Sequence, residues 1–140
     1  MTLQSISTQP LPIQTNELLV RELFTALNEH DLASLQILLS PAAVLHVPGH
    51  NSNAGDYYGH NGFLEFWSKL SQRVAGRVEI KVGDVLANHK SAAVLALSVA
   101  ERKGEKLENR VAYVLKLEEG RVTECWIHNY DQTTVDAFWS

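Results

Sequence analysis

One cysteine, Cys125, in a chain of 140 residues leaves no partner for an internal disulfide. That absence fits a reducing compartment and excludes a small disulfide-stapled scaffold. Runs of lysine and arginine are also missing. With a net charge of −4 and a pI near 5.8, nucleic acid is excluded as the main partner. No apolar run approaches the length that spans a bilayer, so no membrane partner is expected. The opening MTLQSISTQPLPIQ has neither a basic stretch nor a long apolar one, so it is not expected to act as a signal peptide, and a cytoplasmic location is the expectation. There is no internal repeat, nucleotide-binding glycine loop or nucleophile elbow.

What is present is an ordinary globular composition, 45% hydrophobic and 20% charged, enough for one domain with a real core. Residues 1–14, rich in Ser, Thr, Gln and Pro, are expected to be a flexible N-terminal arm, and residues 15–140 the single domain. Thr15 or Asn16 can cap a helix whose apolar face is Leu19, Leu23, Ala26 and Leu27, with Val20 and Phe24 beside it. Glu17, Arg21, Glu22 and Asn28 fall on the opposite face. Asp31 suits the N-cap of a short second helix that stops before Pro41. Ala43 to Val47 predicts a strand, followed by a polar loop to Gly59. Phe63, Phe66, Trp67 and Leu70 mark a third helix. From Val78 the period becomes two, and four strands follow, separated by Asn88-His89-Lys90, Arg102-Lys103-Gly104 and Glu118-Glu119-Gly120. Such short polar breaks suit antiparallel hairpins. Helices segregated from a meander predict an α+β fold. A strongly curved antiparallel sheet with three helices packed on its concave face leaves a cone with an open end.

Four segments carry a family resemblance: LNEHDLASLQILLSP, the VPG of Val47 to Gly49, AGDYYGHNGFLEFW from Ala54 to Trp67, and EEGRVTECWIHNYD from Glu118 to Asp131. Over residues 16–139 the chain resembles the NTF2-like superfamily with its cystatin-like fold, in particular the SnoaL-like and ketosteroid-isomerase-like branch. The resemblance implies a cone-shaped domain that hosts isomerases, cyclases, dehydratases, epoxide hydrolases or simple binders. Epoxide-hydrolase-like members use an Arg-x-Asp pair and an Asp two residues after the last-strand Trp. Here the corresponding residues are Arg102-Lys103-Gly104 and His128, so both acids are missing. No residue trio matches the Asp base with Tyr and Asp donors of the steroid isomerases. Polyketide-cyclase-like members use one Asp or His on the inner sheet, and His128 and Asp131 lie in that region.

The candidate chemistry gathers in two clusters, His46 to Trp67 and Cys125 to Asp131. His128 alternates in step with Trp126 and Tyr130, so if Trp126 lines the cavity the imidazole does too. Its ordinary pKa of about 6.5 suits proton transfer. The alternative is a hydrogen-bonded core or dimer-face histidine. Asp131 would serve as a base if its setting were apolar, or merely cap the C-terminal segment. His46 is the third catalytic candidate, pointing in from the first strand, with His50 in the mouth loop. The two flank a turn and lack a third ligand, so no metal is expected, and no organic cofactor. Trp126, Tyr130, Asn109, Tyr113, Tyr57, Tyr58, Phe24, Phe66 and Trp67 are the candidate ligand-binding residues. Asn109 stands out because it interrupts an apolar face, and a buried polar group needs a partner. The function expected is cofactor-free acid/base chemistry on an apolar carbonyl compound, of isomerase, cyclase or dehydratase type. The alternatives are a non-catalytic binder of a small apolar ligand and a dimerising interaction module. A homodimer through the convex sheet face is expected, since the meander presents two apolar faces and the helices cover only one.

Overall fold

The computed structural model describes residues 13–140, so the arm expected over 1–14 falls outside the described residues except for its last two positions, which are already helical. The elements follow in the order α1 (Ile13–Glu29), α2 (Leu32–Leu38), β1 (Leu39–Val47), β2 (Gly55–Tyr58), α3 (Gly59–Ser71), β3 (Glu79–Ala87), β4 (Ser91–Arg102), β5 (Glu105–Glu118), β6 (Arg121–Asn129) and α4 (Gln132–Trp139). The strands form one sheet in the order β2-β1-β6-β5-β4-β3. All neighbours are antiparallel except β1 and β6, which run parallel. The α+β class holds, with four helices among the described residues rather than three. No helix of the described residues is long and apolar enough to cross a membrane.

Local sequence explains these elements. Asp31 caps α2, its carboxylate accepting from Ser34 N at 3.2 Å and Ser34 Oγ at 2.6 Å. The β4–β5 and β5–β6 hairpins turn on Lys103-Gly104 and Glu119-Gly120, each pair with both φ positive. Two left-handed residues in succession match the twist of the flanking strands. Pro41 lies inside β1 rather than after a helix, in the stretch where pairing with β6 is irregular between Leu39 and Val44. A proline is tolerated there because no ladder bond needs its missing N–H. Further irregularities at Val82/Val85 and Lys116/Leu117 add twist and bend the sheet. The supposed loop before Gly59 contains β2, too short and polar to announce itself by periodicity.

The core lies between the helices and the concave face. Val20, Leu23 and Phe24 of α1 are buried together with Leu45, Val94, Leu115 and Val122 of the strands. Phe24 meets Tyr113 with ring centroids 4.7 Å apart. Two asparagines of α1 do work that periodicity assigned elsewhere. Asn16 is not a cap but a residue within α1, 2% exposed, whose Nδ2 donates to the carbonyls of Asn88 and His89. Asn28 does not face solvent. Its Nδ2 donates to Ile80 O and its Oδ1 accepts from Ile80 N, both at 2.8 Å. The side chain thus pairs with the free side of edge strand β3 as another strand would, blunting that edge.

On the outer face His46 joins three strands. Its Nδ1 lies 2.8 Å from Asp56 Oδ1 on β2, its Nε2 2.6 Å from Glu124 Oε2 on β6. The ring stacks on Trp126 at 5.3 Å. Carboxylates on both nitrogens call for two N–H groups, hence the imidazolium. Partial burial alone would lower the His46 pKa, but the hydrogen bonds to Glu124 and Asp56 and their charges outweigh it, and the net shift is upward.

Asn28→Ala strips both partners from Ile80 and destabilises the protein by roughly 1–3 kcal/mol, read from urea unfolding; an unchanged midpoint would refute the strand-like role. Because the folded pKa of His46 is raised, its contribution to stability is complete below about pH 6.5 and declines as pH rises through the folded value. Unfolding midpoints between pH 6 and 9 should therefore fall more in the wild type than in His46→Gln, and parallel curves would contradict the linkage.

Candidate functional site

The cavity sits under the concave face at the end closed by α4 and the segment after β1. It holds about 60 Å3, room for a few waters or a small molecule as it stands. Its apolar wall includes Phe66, Trp67, Ile80, Val111, Ile127 and Trp139, and its polar groups come from Asn51, Asn53, Ser98, Asn109, Tyr113 and Asn129. Among the described residues no carboxylate, imidazole, lysine or arginine lines it.

Strand pairing explains this composition. Tyr113 lies opposite Ile127, Leu115 opposite Cys125 and Val111 opposite Asn129, and these share the concave face because side chains alternate. Ala112 opposite His128 and Val114 opposite Trp126 therefore face outward. The expectation that the Trp126 face is concave is corrected. His128 is exposed on the outer face, Trp126 is half-buried there, and Tyr130 is 81% exposed beside Arg110. His46, next to cavity-lining Val47, also points outward, into the cluster with Trp126. Asp131 caps α4, accepting from Thr134 N at 3.1 Å and Thr134 Oγ1 at 2.7 Å. Those hydrogen bonds lower its pKa, the opposite of what a buried base requires. None of the three catalytic candidates reaches the cavity.

The ligand-binding candidates divide. Asn109, Tyr113, Phe66 and Trp67 line the cavity. Phe24 backs Tyr113 from the core without lining it. Tyr57 is buried edge-on to Phe66 and donates its hydroxyl to Asn53 O at 2.7 Å, so it positions the wall rather than forming it. Tyr58 is 66% exposed at the surface. Periodicity missed Asn51, Asn53, Ser98 and Asn129. The polar interruption that marked Asn109 would have marked Asn129 as well, had the phase of β6 been known.

Asn53 is the most telling wall residue. It is 2% exposed, and its Oδ1 accepts from Arg73 Nη1 at 3.0 Å. Arginine can only donate, so the amide orientation is set and Nδ2 is the other end. That Nδ2 has no partner among the described residues. Arg73 also donates to Ser52 Oγ and to the carbonyl of Trp139, tying the loop after β1 to α4. Burial and the nearby Arg102 charge lower the Arg73 pKa. The Tyr113 hydroxyl makes no hydrogen bond among the described residues, and burial followed by the neighbouring Cys125 pushes its pKa far up. It is a neutral phenol at any physiological pH. Burial likewise raises the Cys125 thiol to about 12, which makes it inert as a nucleophile. No three His, Cys, Asp or Glu side chains among the described residues converge as metal ligands.

Residues 20–125 match the family model of the SnoaL-like domain. An uncharacterised protein of Mycobacterium tuberculosis is 27% identical over 123 residues, covering 87% of this chain and 94% of its own length. Among solved structures, Bal32a from a soil-derived mobile gene cassette superposes with a TM-score of 0.87 at 26% identity, over 91% of this chain and 98% of that one. A Xanthomonas campestris protein of unknown function with a cystatin-like fold gives 0.81 at 25% identity, over 90% and 98%. The family match spans most of the folded region, and the chain belongs to the SnoaL-like domain family.

Proposed function

We propose that the cone binds a small, neutral, largely apolar carbonyl compound. One observation carries this reading: the buried Asn53 Nδ2, a donor without a partner among the described residues, in the wall of a cavity lined by no charged side chain of those residues. Leaving such a group unsatisfied costs about 1–3 kcal/mol, a cost that a ligand acceptor removes. The Tyr113 hydroxyl supplies a second free donor. The absence of charged side chains from the described wall favours a neutral ligand, since an anion there would lose hydration with no cation to meet it.

Turnover in the same cavity, of isomerase, cyclase or dehydratase type, is the second reading. It is supported by the same two donors, which would stabilise charge developing on a carbonyl oxygen. With His128, Asp131 and His46 outside the cavity, the proton would have to be taken by water or by the substrate itself. Pairing of two copies through the outer sheet face, where Leu95 is 45% exposed, remains part of the proposal. Sedimentation at high micromolar concentration should give a dimer mass, and a monomer mass would remove it.

The binding reading is tested by titrating small neutral ketones and matched carboxylates. The ketones should bind and the carboxylates should not. Asn53→Asp keeps the acceptor for Arg73 and replaces only the donor. It and Tyr113→Phe should each weaken ketone binding about 5- to 10-fold. His128→Ala should leave binding unchanged. Ketone affinity indifferent to both cavity substitutions would sink the assignment.

A further inference from the structure

A chain of side-chain amides ends on the cavity wall, and its direction is set from outside. Asp136 of α4 lies at the outer end, its side chain 21% exposed. Its Oδ1 accepts from His50 N at 3.0 Å, Asn51 Nδ2 at 2.7 Å and Gln132 Nε2 at 2.9 Å. An ionised carboxylate only accepts, so Gln132 must present its nitrogen to Asp136 and its oxygen to Asn129. Gln132 Oε1 accepts from Asn129 Nδ2 at 2.9 Å, and Asn129 Oδ1 accepts from Asn109 Nδ2 at 2.6 Å. Every amide therefore points its N–H toward Asp136. The last one, Asn109, is left with Oδ1 unpartnered among the described residues, in a residue that is 9% exposed and lines the cavity.

Amides aligned head to tail polarise one another, and an anion at the donor end pushes electron density toward each distal oxygen. Asn109 Oδ1 is thus an enhanced acceptor. The cavity already holds two free donors, Asn53 Nδ2 and the Tyr113 hydroxyl. A ligand that satisfies all three must offer both an acceptor and a donor.

We infer that the ligand is a hydroxylated carbonyl compound, its carbonyl met by Asn53 or Tyr113 and its hydroxyl donating to Asn109, with Asp136 acting as a positioning residue that sets this polarity through the amide chain. The inference rests on the cone being a small-molecule site and goes further by naming what the molecule must carry. A carboxylate is disfavoured twice: the described wall has no cation, and its acceptor faces the incoming charge. A site built to pair a hydroxyl discriminates strongly against an analogue that lacks the proton, because its own polar group is then left unpaired.

Three probes of similar size separate the possibilities: butanone, 3-hydroxybutanone and the methyl ether of the latter, which keeps the oxygen but not the donor. Binding is followed by amide shifts in nuclear magnetic resonance titrations of the full chain. The hydroxyketone should bind about tenfold tighter than the ether. In Asp136→Ala no carboxylate is left to hold Gln132 Nε2, the chain can reverse, and the preference should fall toward unity while butanone still binds. Asn109→Leu, which removes the acceptor directly, should lose the preference as well and covers the case in which Asp136→Ala does not fold. Equal binding of all three probes by the wild type would overturn the inference and leave the cone reading intact. A preference that survives in both variants would also overturn it, since the hydroxyl would then be read elsewhere. Binding of none of the probes would remove the cone reading, and the inference with it.

Discussion

The pairing of β5 with β6 is the constraint on which the rest depends. Tyr113 opposite Ile127 puts Val111, Tyr113, Leu115, Cys125 and Asn129 under the helices. A slip of one residue would exchange every side chain of β6 between the two faces, bringing His128 and Trp126 into the cavity and expelling Asn129. The neutral cavity and the charged outer cluster follow from the same register. The Lys116/Leu117 irregularity near the start of β6 changes the alternation ahead of that stretch, and a strict period of two does not carry across it.

Much of the fold was legible in the sequence because long elements announce themselves by period. The apolar spacing of Leu19, Leu23 and Leu27 marked α1, and Lys103-Gly104 and Glu119-Gly120 marked tight hairpins. The inner face of β6 was not legible. Cys125 and Ile127 on one side, Trp126 and Tyr130 on the other, are all compatible with burial, so alternation shows that two faces exist without saying which is inner. Residue size misleads here: the interior of a narrow cone takes the smaller Cys, Ile and Asn, while Trp126 spreads over the outside under His46. Asn109 was found because β5 has a clear apolar face for it to interrupt. Asn28 and Asn53 were missed because their roles depend on partners far away in sequence, the Ile80 backbone and the Arg73 side chain.

Charge and cavity are kept apart in this molecule. His46, Asp56 and Glu124 meet outside the sheet, and Asp136 lies at the far end of a neutral relay. Gly49 enables the second arrangement. Its φ of +109° is a conformation that favours glycine, and a Cβ there would run into Gln132 Nε2 and Asp136 Oδ1. The turn after β1 can therefore lie directly on the relay and deliver His50 N and Asn51 to the same carboxylate. Polarity reaches the cavity through amides, without burial of an ionised group.

The parallel seam between β1 and β6 has a consequence for how the chain comes into being. His46 and Glu124 are 78 residues apart, and the strands that carry them are sheet neighbours. While the chain leaves the ribosome, β1 and β2 have no seam to join until the last strand has emerged, so the sheet closes late. Contacts of such long separation slow folding, and a strand left waiting exposes an edge that can pair with other chains. On this view Pro41, in the irregular stretch of β1, also acts as a guard: it withholds a backbone donor from any stray partner during the interval when the strand is most exposed.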